Sequence, residues 1–383
     1  MRRALALGAL VLGTAIAQPA LAAPTLTLQA DQAVARYEGT VVFSGSLSEA
    51  PEGTVVRIYR GPASVPTEIA NTTAAADGTY GASAVVRTAA SYFAVAFIGE
   101  TQVPSGEIAV RMIPALTAQV VGRRSIGRRV YLTGRLLPVE AGALRLRVLG
   151  VTRRVSVGPY GGFRARIPTS RPGPLSFSLY FIPRAGYEAI TRRFRIRLRA
   201  PQLGLGSTGP AVGVLERGLA RLQYALRRVN YSYRWDTYEA VLAFQKVHGL
   251  SRTGRVGSAF WSRFRYASVP RARIPRGDHL EVSKTKQVLY EVRRGKVVNV
   301  IHVSTGATGN TPVGSWHFYR FGPGGSLSHM YYSMYFLRGF AVHGYHSVPP
   351  WPASHGCVRI PLWQAPGLYS RWASTKTVIH IFG

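Results

Sequence analysis

The chain has 383 residues, 46% of them hydrophobic, which is enough for several packed domains and excludes a wholly disordered protein. It carries 48 lysine and arginine residues against 16 aspartate and glutamate residues, a formal net charge of +32 that favours anionic partners. The single cysteine excludes an internal disulfide.

The first 22 residues have the pattern of a signal peptide. Arg2 and Arg3 form the basic start, residues 4–17 are apolar, and residues 20–22 supply small side chains for cleavage. The alternative is an uncleaved membrane anchor, but the apolar run is short for a spanning helix. We therefore predict an exported protein without a stable membrane span after cleavage, and export argues against nucleic acid as the partner of the basic charge.

Residues 23–200 alternate as β-strands do, in two similar copies. The sequence VFSGSL at residues 42–47 is echoed by YLTGRL at residues 131–136. Copies of roughly ninety residues with about seven short strands each predict tandem immunoglobulin-like β-sandwiches, at residues 23–112 and 113–200. Neither copy contains a cluster of catalytic residue types, so we interpret them as spacer or contact modules.

Of the arginines in the two copies, most lie in the second copy. Four arginines lie within residues 123–129, and residues 192–199 alternate as RRFRIRLR. Alternation places the charges on one strand face and Phe194, Ile196 and Leu198 on the other. Two interpretations stay open: a solvated strand face without a ligand, or a surface for an anionic polymer.

Residues 201–267 change to helical spacing. Apolar residues recur at helical intervals over residues 212–229, which predicts a first helix. Asp236, with Glu239 three residues later, has the spacing of an N-cap and capping box and predicts the start of a second.

Three runs in this segment, LGLGSTG at 203–209, AVLAFQ at 240–245 and TGRVG at 253–257, together resemble the small three-helix peptidoglycan-binding domain. The basic, tyrosine-rich segment 227–234 departs from that family. The resemblance implies peptidoglycan glycan and stem peptides as partners, and the alternative is a helical linker without a ligand.

A proline- and arginine-rich linker, residues 268–277, leads into a last β-rich domain at residues 278–383. The pattern predicts strands at 279–289 and 297–303 around a turn at Arg294 and Gly295, a helix at 362–372 and a final strand at 378–381. With the preceding segments, this makes a multidomain, mainly β protein that contains one small helical bundle.

Residues 341–361, AVHGYHSVPPWPASHGCVRIP, contain the only cysteine, Cys357, and three histidines, His343, His346 and His355. A thiol and a nearby imidazole are the smallest set of groups that thiolate catalysis needs, because the imidazole can take the thiol proton. Proximity in sequence favours His355 as the base. A zinc site of the cysteine and three histidines is the rival, but every ligand would come from one loop.

This stretch resembles the signature of the L,D-transpeptidase catalytic domain, the YkuD-like family. The match is His343-Gly344 followed by Ser354-His355-Gly356-Cys357-Val358-Arg359, and it extends upstream to cover about the last 105 residues. The resemblance implies that Cys357 is the nucleophile and His343 the base, with its ring oriented by the Gly344 carbonyl. It implies that His355 supports the loop and that no metal or organic cofactor is needed.

The resemblance also implies substrate-binding positions, which are Arg359, Gly344, Ser354 and Gly356. The N–H groups of Gly356 and Cys357 would form the oxyanion hole.

The resemblance implies a peptidoglycan L,D-transpeptidase of the cell wall, which forms 3→3 cross-links through a cysteine thioester. Two alternatives stay open: an L,D-carboxypeptidase that hydrolyses stem tetrapeptides, and an inactive wall-binding protein. We expect an extracellular or periplasmic, wall-associated location, with anionic wall polymers as further candidate partners.

Overall fold

A computed structural model describes residues 23–324 and 329–383 of the chain. The predicted signal peptide, residues 1–22, lies outside the described residues. No helix in the described part is both long and apolar enough to cross a membrane. The architecture is mainly β with four α-helices among the described residues, which confirms the predicted fold class.

The first β module packs two sheets around a core that includes Phe43, Ile58 and Tyr92. Its strands are β1 (Gln29–Ala30), β2 (Val34–Arg36), β3 (Gly39–Ser46), β4 (Val55–Arg60), β5 (Thr67–Thr73), β6 (Thr79–Val86), β7 (Ala90–Ile98), β8 (Thr101–Pro104) and β9 (Ile108–Ile113). One sheet has the order β1-β3-β6 and the other β2-β9-β7-β4-β5, with β8 also paired to β7. The count exceeds the expected seven because the short β1 and β2 add to the sheet edges.

The second β module has seven strands in two sheets, ordered β10-β11-β14 and β13-β12-β15-β16. They are β10 (Ala115–Gly122), β11 (Val130–Leu137), β12 (Gly142–Val148), β13 (Val151–Val155), β14 (Gly162–Ile167), β15 (Gly173–Pro183) and β16 (Ile190–Leu198), with a 3-10 turn at Val139–Ala141. Along β16, Ile196 and Leu198 are buried while the intervening arginines are exposed. The predicted one-sided basic strand is therefore present.

The helical domain consists of α1 (Pro210–Arg221), α2 (Trp235–Val247) and α3 (Ser258–Phe264). The prediction that the first helix continues to residue 229 is wrong. Gln223 has a positive φ of 67°, and Tyr224 then pairs with Val300 of the last domain. The Val300 N–H donates to the Gln223 carbonyl at 2.7 Å, so this segment extends a sheet instead of a helix.

The predicted capping box at Asp236 is also wrong, because α2 begins one residue earlier, at Trp235. Asp236 lies inside the helix, and its Oδ2 accepts the Arg227 N–H at 3.2 Å. Glu239 accepts the Trp363 indole N–H at 2.5 Å, across the boundary to the last domain. Both carboxylates thus bind other parts of the fold and do not cap the helix.

The last domain contains two sheets and one helix. Its elements are β17 (His279–Ser283), β18 (Val288–Arg293), β19 (Lys296–His302), β20 (Gly314–His317), β21 (Arg320–Gly322), β22 (Tyr331–Leu337), β23 (Phe340–Tyr345), β24 (Val358–Pro361), α4 (Ala365–Trp372) and β25 (Val378–Phe382). The sheets are ordered β19-β18-β17-β25-β20 and β21-β22-β23-β24. Val288, Tyr290 and Val300 also share one apolar core with the helical domain, so the two domains pack directly against each other.

Candidate active site

The parallel pairing of β23 with β24 assembles the site. Val342 lies opposite Val358, and His343 lies opposite Arg359. Side chains alternate along a strand, so the two valines enter the core and His343 and Arg359 share the other face. Cys357 directly precedes β24, so the register sets it beside Ala341, two residues before His343, and the Ala341 N–H contacts its thiol.

His343 is buried, with only 3% of its surface exposed. Its Nδ1 lies 3.0 Å from the Gly344 carbonyl oxygen. A carbonyl can only accept, so Nδ1 carries the proton and Nε2 keeps a free lone pair. Burial lowers the pKa of His343, which favours the neutral ring.

Cys357 is half-buried, directly before β24 and beside the β22–β23 turn. Its Sγ lies 3.8 Å from the Gly339 carbonyl oxygen. Burial raises the pKa of the Cys357 thiol, while the Ala341 N–H and the charge of Arg359 oppose that shift more weakly. Both pKa shifts favour the uncharged form, of the thiol and of the imidazole.

The loop that carries the cysteine, residues 346–357, is called the nucleophile loop below. Within it, the Ser354 hydroxyl accepts the Gly356 N–H at 3.0 Å and donates to the Cys357 carbonyl at 2.6 Å. Thr311 donates to the Gly356 carbonyl at 2.7 Å, and Asn310 donates to the His355 carbonyl at 2.7 Å. The Ser354 hydroxyl is therefore occupied in shaping the turn.

A second set of bonds fixes the loop to the strand-to-loop junction after β19. The Thr305 carbonyl accepts the N–H groups of Ala353 and Ser354, at 2.8 and 3.0 Å. The Ser304 hydroxyl donates to the Trp351 carbonyl at 2.7 Å. In the sequence, Ser304 and Thr305 are covered only by the family resemblance. Their partners lie some fifty residues away, so they leave no local pattern.

The other two histidines of the motif are exposed. His346 lies at the rim, where its Nε2 is 3.3 Å from the Tyr331 hydroxyl. The supporting role expected for His355 stays a prediction. The carbonyl of His355 contacts Asn310, and the ring has no hydrogen bond within residues 23–324 and 329–383.

The remaining predicted site residues lie around the cysteine. The Arg359 guanidinium lies 4.1 Å from the centre of the Tyr345 ring and donates to the Ala353 carbonyl at 3.3 Å. Gly344 is buried, and a Cβ there would come within 2.6 Å of Ala365. Gly356 has a φ of 139°, in the region that favours glycine, and a Cβ there would overlap the Phe340 ring. Their contacts with substrate remain predictions.

The backbone N–H groups near Sγ are not equivalent. The Gly356 N–H is committed to Ser354, which leaves it poorly available to a substrate oxygen. The Cys357 N–H has no acceptor among the described residues. The geometry thus favours Cys357 as the oxyanion donor. In the described part of the chain, no group of three or more His, Cys, Asp or Glu side chains is arranged to hold a metal ion.

The half-buried thiol and the buried imidazole at the β23–β24 pair define a cysteine–histidine site, and comparison with known proteins identifies the family. Residues 277–381 match the model of the L,D-transpeptidase catalytic domain (YkuD), and residues 208–264 match a putative peptidoglycan binding domain. No curated protein matches the chain. The chain belongs to the YkuD L,D-transpeptidase family and carries a peptidoglycan-binding domain and N-terminal β modules.

Three solved structures illustrate the relationship. The L,D-transpeptidase (residues 123–326) from Xylanimonas cellulosilytica is 34% identical, with 48% of this chain and 99% of that chain covered and a TM-score of 0.46. A fused Zn-dependent amidase/peptidase/peptidoglycan-binding protein from Clostridium acetobutylicum is 16% identical, covering 48% and 100% of the two chains, with a TM-score of 0.21. A tetra-tandem repeat of a large adhesion protein is 20% identical, covering 48% and 51%, with a TM-score of 0.30. The family assignment rests on the domain match and the 34% identity, and the superpositions add nothing to it.

Proposed function

We propose that this protein forms 3→3 cross-links in cell-wall peptidoglycan through a thioester on Cys357. The observation that supports the proposal is the β23–β24 pairing, which sets Cys357 beside Ala341, two residues before the buried His343, while burial favours the uncharged form of both groups. An imidazole fixed by the Gly344 carbonyl can accept the thiol proton during attack without a charged resting state. We also infer an exported, wall-associated location, since the substrate is there.

In the first step, Cys357 Sγ attacks the carbonyl carbon of the third residue of a tetrapeptide stem, and His343 Nε2 takes the thiol proton. The Cys357 N–H supports the oxyanion. The amide C–N bond then breaks, and D-alanine leaves with the proton returned by His343. The product of this half-reaction is a thioester on Cys357.

In the second step, the side-chain amine of a neighbouring stem attacks the thioester. The new C–N bond forms, the C–S bond breaks, and the amine proton passes through His343 back to sulfur. If water attacks instead, the protein is an L,D-carboxypeptidase that releases a tripeptide. The intact Ser354-His355-Gly356-Cys357 motif argues against the third alternative, an inactive wall-binding protein.

The experiment is incubation with purified tetrapeptide stems, followed by mass analysis of the products. A 3→3 linked dimer supports the proposal, and tripeptide without dimer supports the carboxypeptidase. Wild-type protein that forms neither product would support the inactive alternative. Cys357→Ala is the control for contaminating activity.

Peptidoglycan retention is proposed for a cleft of about 940 Å³ in the helical domain, lined among others by Leu205, Tyr238 and Thr253. Deleting the domain would expose the apolar core it shares with the catalytic domain, so a point variant is the better test. Leu205 is 47% exposed, and Leu205→Asp should lower retention on purified sacculi at high salt. Val65→Asp, on an exposed residue of the first β module, is the matched control. Equal retention of both variants would count against the cleft.

Anionic wall polymers are proposed for a second cleft, of about 870 Å³, between the second β module and the helical domain. Five arginines line it: Arg123, Arg124, Arg128, Arg197 and Arg199. None of them has an ion-pair partner among the described residues. Unpaired cations that converge on one cavity favour a polyanion, and the attraction weakens as salt rises.

The test is the binding of polygalacturonate and of polyphosphate at increasing ionic strength. Arg124→Gln with Arg199→Gln should weaken binding more than Arg153→Gln with Arg154→Gln, which removes the same charge from the exposed strand β13 of that module. Equal weakening would show that net charge alone accounts for the binding.

A further inference from the structure

Lys246, on α2, is buried where the helical domain meets the catalytic domain, with 3% of its surface exposed. Its Nζ donates to the Gln287 carbonyl at 3.0 Å and to the Val303 carbonyl at 2.8 Å. Nζ also lies 2.6 Å from Nδ1 of His302. Burial lowers the pKa of Lys246, and the cost of burying this amine is offset by three hydrogen bonds whose partners all belong to the catalytic domain.

His302 connects Lys246 to the nucleophile loop, because it contacts both. It ends β19 and is 2% exposed. Because its Nδ1 accepts from Lys246, its Nε2 holds the proton, and that nitrogen lies 2.7 Å from the Val348 carbonyl oxygen. Burial lowers the pKa of His302 and keeps the ring neutral, consistent with this tautomer.

Arg252, a few residues after α2, holds the same loop at a second point. Its Nη1 donates to the Pro350 carbonyl at 2.9 Å and its Nη2 donates to the Thr285 carbonyl at 3.0 Å. Val303, which accepts from Lys246, directly precedes Ser304, whose hydroxyl binds the Trp351 carbonyl. Three carbonyls of the loop, those of residues 348, 350 and 351, are thus fixed through contacts that begin in or next to the helical domain.

We propose that Lys246 and Arg252 are positioning residues for the acyl-transfer reaction, because they fix the nucleophile loop from the helical domain through His302 and through direct carbonyl contacts. The inference rests on the proposed function, since the loop matters through Cys357. The helical domain is then part of the active-site scaffold as well as a binding module. Misplacing a reacting group by about 1 Å can cost about 100-fold in rate, so loss of these contacts should be visible in the chemistry.

The experiment uses the full chain with Lys246→Met, which keeps the length of the side chain but removes its donors. The matched control is Lys296→Met, on an exposed lysine at the β18–β19 turn. Acylation of Cys357 is followed by intact mass with a carbapenem, a class of β-lactam that acylates this family. We expect Lys246→Met to lower the limiting acylation rate constant at least about tenfold, with a smaller change in the half-saturating concentration.

Hydrogen exchange separates positioning from general damage. In Lys246→Met we expect faster exchange across residues 346–356 and unchanged exchange in the first β module. This readout decides the positioning role even if wild-type protein is not acylated, an outcome that would count against the proposed function instead. Unchanged acylation together with unchanged exchange in the loop would overturn the inference.

A second variant keeps the inference testable if Lys246→Met does not fold. Arg252→Gln, at a half-buried position, should lower acylation and loosen the same loop. Its control is Trp363→Phe, which removes an interdomain hydrogen bond, to Glu239, that does not reach the loop. If Trp363→Phe lowers acylation as much as Arg252→Gln, domain packing and not loop positioning is the cause, and the inference fails.

Discussion

The two halves of the molecule differ in what they bury. Of the twenty buried polar or charged residues in the described part of the chain, only Thr54 and Thr169 precede residue 201. The N-terminal modules bury apolar strand faces and leave their arginines outside, whereas the helical and catalytic domains bury lysine, histidine, glutamate and glutamine. Every buried side-chain nitrogen and oxygen among the described residues has a hydrogen-bond partner.

This contrast between the two halves indicates which part of the molecule carries the chemistry. Burying a polar group costs free energy unless a partner is provided, so a dense buried network needs a reason other than stability. In the C-terminal half, part of that network holds the loop of Cys357, through Thr305, Thr311 and Ser354. Changes to the network should affect the chemistry, and changes to the outer arginines should affect only binding.

The largest effect should come from the nucleophile. Cys357→Ala should abolish both product formation and covalent labelling, because the chain has no other thiol. Intact-protein mass spectrometry with a carbapenem should show one adduct on wild-type protein and none on the variant. An equal adduct on Cys357→Ala would place the covalent chemistry elsewhere.

Comparison of two histidines in the same motif should give the next largest effect. His343→Ala removes the proposed base, which is buried, and should lower acylation about 10²- to 10⁴-fold, whereas His355→Ala removes an exposed ring and should change it little. Raised pH should partly rescue His343→Ala, because solvent can then deprotonate the thiol. Rescue of His355→Ala but not of His343→Ala would reverse the roles.

A moderate effect is expected from the scaffold of the loop. Ser354→Ala leaves the Gly356 N–H and the Cys357 carbonyl without their partner, at a cost of about 1–3 kcal/mol in the free energy of unfolding. The acylation rate should fall with it. The control is Ser347→Ala, at an exposed serine of the same loop. Denaturant unfolding of both variants gives their free energies of unfolding, and equal values would refute the prediction.

The smallest effect is expected in the N-terminal half. Replacing Arg193, Arg195 and Arg197 on the outer face of β16 by glutamine should change the free energy of unfolding by no more than about 0.5 kcal/mol per residue. Acylation by a carbapenem should be unchanged, while retention on polyanions falls. Reduced acylation in this variant would contradict the division of the molecule into a binding half and a chemical half.

Much of the fold could be predicted because its signals are local. Alternation predicted the one-sided basic strand β16, and the contiguous Ser354–Arg359 motif indicated the family. The first helix was predicted too long because Tyr224 and Ala225 have helical spacing, yet they pair with Val300 of another domain. Asp236 and Glu239 have the spacing of a cap, but their partners Arg227 and Trp363 decide their role.

The interdomain contacts could not be predicted for the same reason. Lys246 lies on a helix whose pattern gives no hint of His302, 56 residues away. A lysine in a helical pattern is usually a solvated side chain, and only tertiary structure makes it a buried donor. Proximity in sequence alone favours His355 over His343, and only the family resemblance favours His343. Burial, and the bond from Nδ1 to the Gly344 carbonyl, distinguish them.

The most direct test of this account is the pH dependence of Cys357 alkylation by iodoacetamide in the full chain. Burial raises the pKa of the thiol and lowers that of His343, so the account predicts a neutral pair at neutral pH. The alkylation rate of wild-type protein should keep rising with pH through the ordinary thiol range, with a midpoint above about 8.5. A midpoint below pH 7 that disappears in His343→Ala would reveal a preformed thiolate–imidazolium pair and contradict the account.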